Sequence, residues 1–229
     1  MNIAGLQKLT LLDFPGKTAC TVFTDGCNFR CPFCQNSSLL SGRMPAFMDH
    51  EAFFAFLRKR KGLLDGVCLT GGEPLVHPSV IDFIARIKEE GFAVKLDTNG
   101  SFPDRLFALI DRGLLDYVAM DLKNSFDRYP ETVGIPSYDV APVRQSVALL
   151  LSDKVPYEFR TTVVKELHTP RSMADAAAAI KGASRYFLQA FRASDEVLTP
   201  GLHAYSDREM TEILSIARQF VPNTELRGI

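Results

Sequence analysis

Three thiols dominate the chemistry open to this chain. Cys27, Cys31 and Cys34 stand in a C-x3-C-x2-C spacing, directly after an apolar run at 18–23 and the breaker Asp25-Gly26. A strand that ends in such a loop holds three sulfurs close together with little freedom. Thiolates are soft donors that favour iron–sulfur clusters, zinc or copper. A structural zinc site wants four ligands, usually as two Cys/His pairs, and here a distant His50 or His77 would have to complete it. Electron-transfer clusters also take four cysteines. Three cysteines on a four-iron cube leave one iron without a protein ligand, and an iron with an open position can bind a substrate.

The elements that must position these thiols alternate in type. Residues 5–17 read as a short strand or hairpin ending at the turn Phe14-Pro15-Gly16, and 19–23 as the first core strand. Residues 35–48 read as irregular, and Asp49 can cap a helix over 50–61. Strand and helix then recur at 66–70 and 78–90, 92–96 and 103–112, 117–120 and 138–150, 157–164 and 170–180, and 186–191 and 206–220. Such alternation implies a parallel sheet with right-handed crossovers. Six units are too few for a closed eight-stranded barrel, so the expected fold is α/β, an open, partial (β/α)6 barrel in one domain over 1–229. Residues 126–136, with the breakers Gly134 and Pro136, are the expected mobile loop.

Polar motifs fall where each strand ends: Gly71-Gly72-Glu73-Pro74, Asp97-Thr98-Asn99-Gly100 and Asp121-Leu122-Lys123. In α/β barrels that rim is where active sites are built. Each motif also has a structural explanation. Gly-Gly-x-Pro makes a turn by itself, although small residues also let backbone approach a ligand closely. Asn99-Gly100 is a turn pair. Asp121 and Lys123 are two apart on a strand and share a face, which suits an ion pair. Arg160 and Arg192 lie in or just after apolar strands and need an acidic partner or a ligand. Cys20 and Cys68, inside apolar strands, read as small buried hydrophobes, so no auxiliary cluster is expected. His50, His77, His168 and His203 show no ligand spacing and are assigned to solvent or loops.

The C-x3-C-x-aromatic-C pattern, with Phe33 as its aromatic, resembles the signature of radical S-adenosylmethionine enzymes, and the three later motifs follow in that family's order. The opening Gly5-Leu6-Gln7-Lys8-Leu9-Thr10-Leu11-Leu12-Asp13-Phe14-Pro15-Gly16-Lys17 resembles the activating proteins of anaerobic ribonucleotide reductase. The resemblance implies one 4Fe–4S cluster on Cys27, Cys31 and Cys34, its open iron chelated by the amino and carboxylate groups of S-adenosylmethionine. It implies Phe33 near the adenine, and Gly71, Gly72, Glu73 and Pro74 at the methionine amino group. It also implies a pocket lined by Asp97, Thr98, Asn99, Asp121 and Lys123, with Arg160, Gln189 and Arg192 as further cofactor contacts. Arg192 stands where pyruvate formate-lyase activators carry a histidine. In those activators the carboxylates matching Asp97 and Asp121, with Thr98, surround a monovalent cation, which is therefore expected here.

The implied activity is reductive cleavage of S-adenosylmethionine to a 5′-deoxyadenosyl radical, which leaves a glycyl radical on a partner. The expected partner is anaerobic ribonucleoside-triphosphate reductase, with flavodoxin or ferredoxin as the electron donor. The competing expectations are a 7-carboxy-7-deazaguanine synthase-like enzyme acting on a small molecule, an activator of another glycyl-radical enzyme, and a cluster protein serving only electron transfer or sensing. Composition is compatible with all of these. The 229 residues are 46% hydrophobic, enough for a sizeable core. Lys plus Arg number 26 against 27 Asp plus Glu, so nothing suggests a nucleic-acid or membrane partner. No apolar run approaches the roughly 18 residues that span a bilayer, and the first 16 residues lack the pattern of a secretory signal. Five cysteines without framework spacing favour a reducing, cytoplasmic setting.

Overall fold

The computed structural model describes residues 1–228. One sheet of eight strands runs in the order β1 to β8. Strand β1 (Ile3–Thr10) pairs antiparallel with β2 (Ala19–Thr24). The turn between them closes at Gly16, whose φ of 70° suits glycine, with the Lys17 N–H donating to the Phe14 carbonyl at 3.1 Å. From β2 onward every pairing is parallel: β3 (Gly66–Gly71), β4 (Ala93–Thr98), β5 (Tyr117–Asp121), β6 (Tyr157–Val163), β7 (Tyr186–Ala190) and β8 (Thr224–Arg227). The sheet is open, and β2 to β7 with their following helices give the expected (β/α)6 arrangement.

The crossovers are α1 (His50–Arg58), α2 (Val80–Glu89), α3 (Pro103–Asp111), α4 (Tyr129–Thr132), α5 (Ala141–Leu151), α6 (Pro170–Ala179) and α7 (Asp207–Arg218). Their starts are written locally. Asp49 accepts from the Ala52 N–H at 2.7 Å, and Thr169 with Ser172 and Ser206 with Glu209 form reciprocal caps. Each helix lays its apolar face on the sheet, for example Phe53, Phe54 and Leu57 of α1. Among the described residues no helix is long and apolar enough to cross a membrane.

Beyond the expected units, Thr224–Arg227 adds an eighth strand, β8, after α7. The guanidinium of Arg227 grips Glu158 with two bonds of 2.8 and 3.1 Å and stacks on the Phe187 ring, which anchors a run too short and polar to read as a strand. Residues 126–136 are not a loose loop. They hold a turn of 3-10 helix at Phe126–Arg128 and then α4, with Tyr129 and Thr132 fully buried. The segment is tied to the cysteine loop by the Arg30 N–H donating to the Val133 carbonyl at 2.9 Å. A side chain at Gly134 would lie 2.2 Å from the Arg30 carbonyl oxygen.

Candidate functional site

At the carboxyl ends of β2 to β7 lies a cavity of ≈ 260 Å³. All three motif cysteines line it, with Phe33 between the second and third. Gly71 and Gly72 pass beside the cysteine loop so closely that a Cβ on Gly72 would sit 2.1 Å from the Gly26 carbonyl oxygen. The Glu73 N–H donates to that same oxygen at 2.8 Å. The two glycines therefore permit the contact between the loop after β3 and the thiol loop, which is a steric reason for glycine at these positions. Asp97, Thr98 and Asn99 from the end of β4, Asp121 and Lys123 from the end of β5, Arg160 and Thr162 on β6 and Gln189 on β7 also line it.

The thiols are held by main chain and amides. The Phe29 N–H points at Cys27 Sγ at 3.4 Å, and Asn99 Nδ2 lies 3.9 Å from it. Asn99 also donates to Asn28 Oδ1 at 3.0 Å, and Asn28 donates to Ser101 Oγ at 2.9 Å, so the turn after β4 clamps the cysteine loop. Burial pushes the Cys27 thiol up to about 11 and the Cys31 thiol up to about 12. In this apolar setting the thiolates need a metal to carry their charge.

Glu73 does not reach the cavity. It is fully buried, and its carboxylate accepts from the Leu75 N–H at 2.9 Å, the Thr98 hydroxyl at 2.9 Å and the Asn99 N–H at 2.6 Å. Burial raises its carboxyl to about 7 against the pull of these donors. Pro74 likewise turns inward, opening a short 3-10 helix. Glu73 and Pro74 thus shape the cavity from behind.

On the β4–β6 side, five charges alternate in sign: Lys95, Asp97, Arg160, Asp121, Lys123. Lys95 contacts Asp97 Oδ1; Arg160 donates to Asp97 Oδ2 at 3.2 Å and to Asp121 Oδ1 at 3.0 Å; Lys123 donates to Asp121 Oδ2 at 3.1 Å. Burial opposes ionisation of Asp97 and Asp121, but Arg160 with Lys95 and Lys123 outweighs it, holding Asp97 below its usual range and Asp121 at about 2. All four carboxylate oxygens already face a lysine or arginine, and the Thr98 hydroxyl is committed to Glu73. The monovalent cation expected at Asp97, Thr98 and Asp121 therefore has no vacant charge to neutralise.

Arg192 is not brought to the cavity. It is exposed, and its guanidinium donates to the Gly228 carbonyl at 3.1 Å. Its own carbonyl accepts from Gln35 Nε2 at 2.6 Å. The segment that follows lies over the cysteine loop, with the Leu198 N–H bonded to the Cys34 carbonyl and the Thr199 N–H to the Pro32 carbonyl. Cys20 and Cys68 are fully buried. His77, His168 and His203 lie in loops as expected, whereas His50 opens α1. His168 is fully buried, His77 bonds the Asp25 carbonyl at 2.7 Å, and His50 bonds the Met1 carbonyl at 2.9 Å. Neither His50 nor His77 lines the thiol cavity, and among the described residues no three His, Cys, Asp or Glu are grouped to hold a single metal ion.

The sequence reading passed over Lys95 and gave His168 no role beyond solvent or a loop. Lys95 carried a usable signal, since it is a charge inside an apolar strand run, on the same face as Asp97. His168 carried none.

The model of the Radical SAM superfamily matches residues 21–176. The chain belongs to that superfamily. It is 30% identical over 236 residues to a "putative glycyl-radical enzyme activating enzyme" of Methanocaldococcus jannaschii, covering 99% of this chain and 96% of that protein. It is 29% identical over 180 residues to the 7-carboxy-7-deazaguanine synthase of Methanopyrus kandleri, covering 68% and 70% of the two chains. Two solved structures share the fold. Streptococcus suis SuiB matches with TM-score 0.70 at 13% identity, over 91% of this chain and 48% of SuiB. A domain of the pyruvate-formate lyase-activating enzyme from Bacteroides vulgatus matches with TM-score 0.57 at 16% identity, over 71% of this chain and 99% of that domain.

Superfamily membership implies a 4Fe–4S cluster and S-adenosylmethionine, and the residues present fit both. Three thiols open onto one cavity, with a main-chain N–H and an amide directed at Cys27. For the nucleoside, Gly71 and Gly72 allow close main-chain approach on one side, and Asp97, Asp121, Lys123 and Arg160 line the other with groups of both signs, able to pair with a zwitterionic ligand.

Proposed function

We propose that the protein is a glycyl-radical activating enzyme whose target is anaerobic ribonucleoside-triphosphate reductase. The observation that carries the first part is the end-to-end match to the Methanocaldococcus protein, 99% of one chain against 96% of the other. The opening residues 5–17 support the choice of reductase.

When bound, the cluster and S-adenosylmethionine would together supply one-electron radical chemistry able to abstract a hydrogen atom from a glycine α-carbon of the partner. The chain's own residues bind and orient. Cys27, Cys31 and Cys34 would hold the cluster. Gly71 and Gly72 bring main chain to the ligand, with Glu73 and Pro74 fixing that loop and Thr98 and Asn99 joining it to β4. Asp121, Lys123, Arg160 and Gln189 border the remaining side, and Phe33 offers a ring face beside them. The segment after Arg192 is bonded over the cysteine loop through the Leu198 and Thr199 N–H groups. Flavodoxin or ferredoxin would supply the electron, in the cytoplasm, with residues 1–229 acting as one domain.

The test is anaerobic reconstitution, detection of 5′-deoxyadenosine, and then incubation with purified reductase. The expected result is a glycyl doublet in the electron paramagnetic resonance spectrum of the reductase. Deoxyadenosine release without a doublet on the reductase overturns the target. The likeness to 7-carboxy-7-deazaguanine synthase favours a second reading, which ring-contracted product from a small-molecule substrate would support.

A further inference from the structure

Lys95 is 2% exposed, in the middle of β4 and one residue pair below Asp97 on the same face. Among the described residues its ammonium contacts Asp97 Oδ1 and, at 3.8 Å, the Cys68 thiol. Burying an ammonium is costly unless a partner uses it, and an unbranched apolar side chain would fill the same space. Lys95 does not line the cavity, so it is no ligand contact. Its effect must pass through Asp97. Arg160 cannot replace it, because that guanidinium is already shared, 3.2 Å from Asp97 Oδ2 and 3.0 Å from Asp121 Oδ1. Lys123 reaches only Asp121. Without Lys95, Asp97 Oδ1 would keep only the weak Cys68 thiol donor at 3.9 Å and no charge opposite it.

We propose that Lys95 is the resident counter-cation of the pocket, a positioning residue that holds Asp97 in place through charge and so makes the cofactor site independent of any bound inorganic cation. The inference rests on reading the cavity as the S-adenosylmethionine site. It assigns Lys95 a role in that site without contact to the ligand.

The test compares the reconstituted wild type with Lys95→Ala in buffers whose only cation is tetramethylammonium, with and without added potassium or ammonium. Two readouts are taken: the change in the reduced-cluster resonance spectrum on titration with S-adenosylmethionine, and the thermal unfolding of the metal-free protein. The wild type should bind equally in all buffers. Lys95→Ala should lose at least about tenfold in affinity in tetramethylammonium and recover most of it with ammonium or potassium. Its unfolding temperature should rise with those cations where the wild type's does not. Wild-type affinity for Lys95→Ala without small cations overturns the proposal, as does a loss that no small cation relieves. A wild-type spectrum indifferent to S-adenosylmethionine overturns the reading of the cavity instead. Should Lys95→Ala not fold, Lys95→Met is compared in the presence and absence of Asp97→Asn. The proposal requires that Lys95→Met weaken binding alone and change nothing once Asp97 is neutral; equal effects on both backgrounds overturn it.

Discussion

The carboxylate of Glu73 accepts the Asn99 N–H at 2.6 Å, deep beneath the cavity. That bond joins the loop after β3 to the turn after β4, and Asn99 in turn reaches Asn28 and the Cys27 sulfur. Three motifs far apart in sequence thus close on one buried anion.

This anion has a signature in pH. Its carboxyl is raised to about 7 from the ordinary 4.5, with burial as the leading cause. Between those values the folded state holds a proton that the unfolded chain has lost. Folding stability from this group is therefore fully present at acid pH and falls as pH rises through that window. Glu73→Gln should remove the fall while costing about 1–3 kcal/mol overall, because its amide cannot accept from Asn99 as the carboxylate does. Denaturant unfolding of the metal-free protein, wild type minus variant, across pH 4.5 to 7 checks it. A flat difference would show that Glu73 is not the titrating group.

Gly72 makes a sharper steric test. Its backbone needs no left-handed conformation, yet a Cβ would meet the Gly26 carbonyl oxygen at 2.1 Å. Gly72→Ala should force the loop after β3 away from the cysteine loop, at about 2 kcal/mol or more. Reconstituted Gly72→Ala should also bind S-adenosylmethionine weakly. Gly91→Ala is the control, since its φ of 90° strains alanine but nothing lies within 4 Å. That variant should lose stability without losing cofactor affinity.

Cysteine substitutions separate ligands from packing. Cys31→Ala should abolish both the cluster and cleavage of S-adenosylmethionine. Cys68→Ala should retain iron near four per chain, the count for one cube, although it touches the Lys95 ammonium and carries a thiol raised by burial. Iron and sulfide analysis after anaerobic reconstitution decides both, and a large iron loss in Cys68→Ala would give that thiol a ligand role.

Much of this site could be read from residue types because strand periodicity is strict. Lys95 and Asp97 had to share a face of β4, and polar residues at strand ends had to gather on one rim, where Lys123, just past β5, still pairs with Asp121. Glu73 misled because its side chain serves the turn after β4, a partnership set by how two loops pack and not by spacing. Arg192 misled in the same way: it follows an apolar strand, but the chain turns it outward to the Gly228 carbonyl. Strand β8 was hidden because its stability comes from the Arg227–Glu158 pair, which spans 69 positions.

His168 shows how a residue without motif context can still govern the pocket. Its Nε2–H donates to the Lys123 carbonyl at 2.7 Å and its Nδ1 accepts from the Val164 N–H at 3.0 Å, a pairing that fixes the neutral tautomer. On the other side of the same residue, the Lys123 N–H donates to the buried Tyr129 hydroxyl at 3.1 Å. Lys123 is thus clamped at both ends of its main chain, with its ammonium 5.9 Å from the centre of the Phe33 ring. Burial holds the His168 pKa below its usual value. The unfolded chain therefore gains a proton that the folded state refuses, and stability from this group is lost as pH falls below the ordinary histidine range. His168→Ala should cost about 2–4 kcal/mol, from the space vacated and two main-chain groups left unpaired. Tyr129→Phe, which removes one acceptor, should cost about 1–2 kcal/mol. Both should keep three-cysteine cluster assembly but weaken S-adenosylmethionine binding, read by the cluster spectrum on titration. If both variants bind the cofactor as tightly as wild type, the clamp on Lys123 serves folding alone.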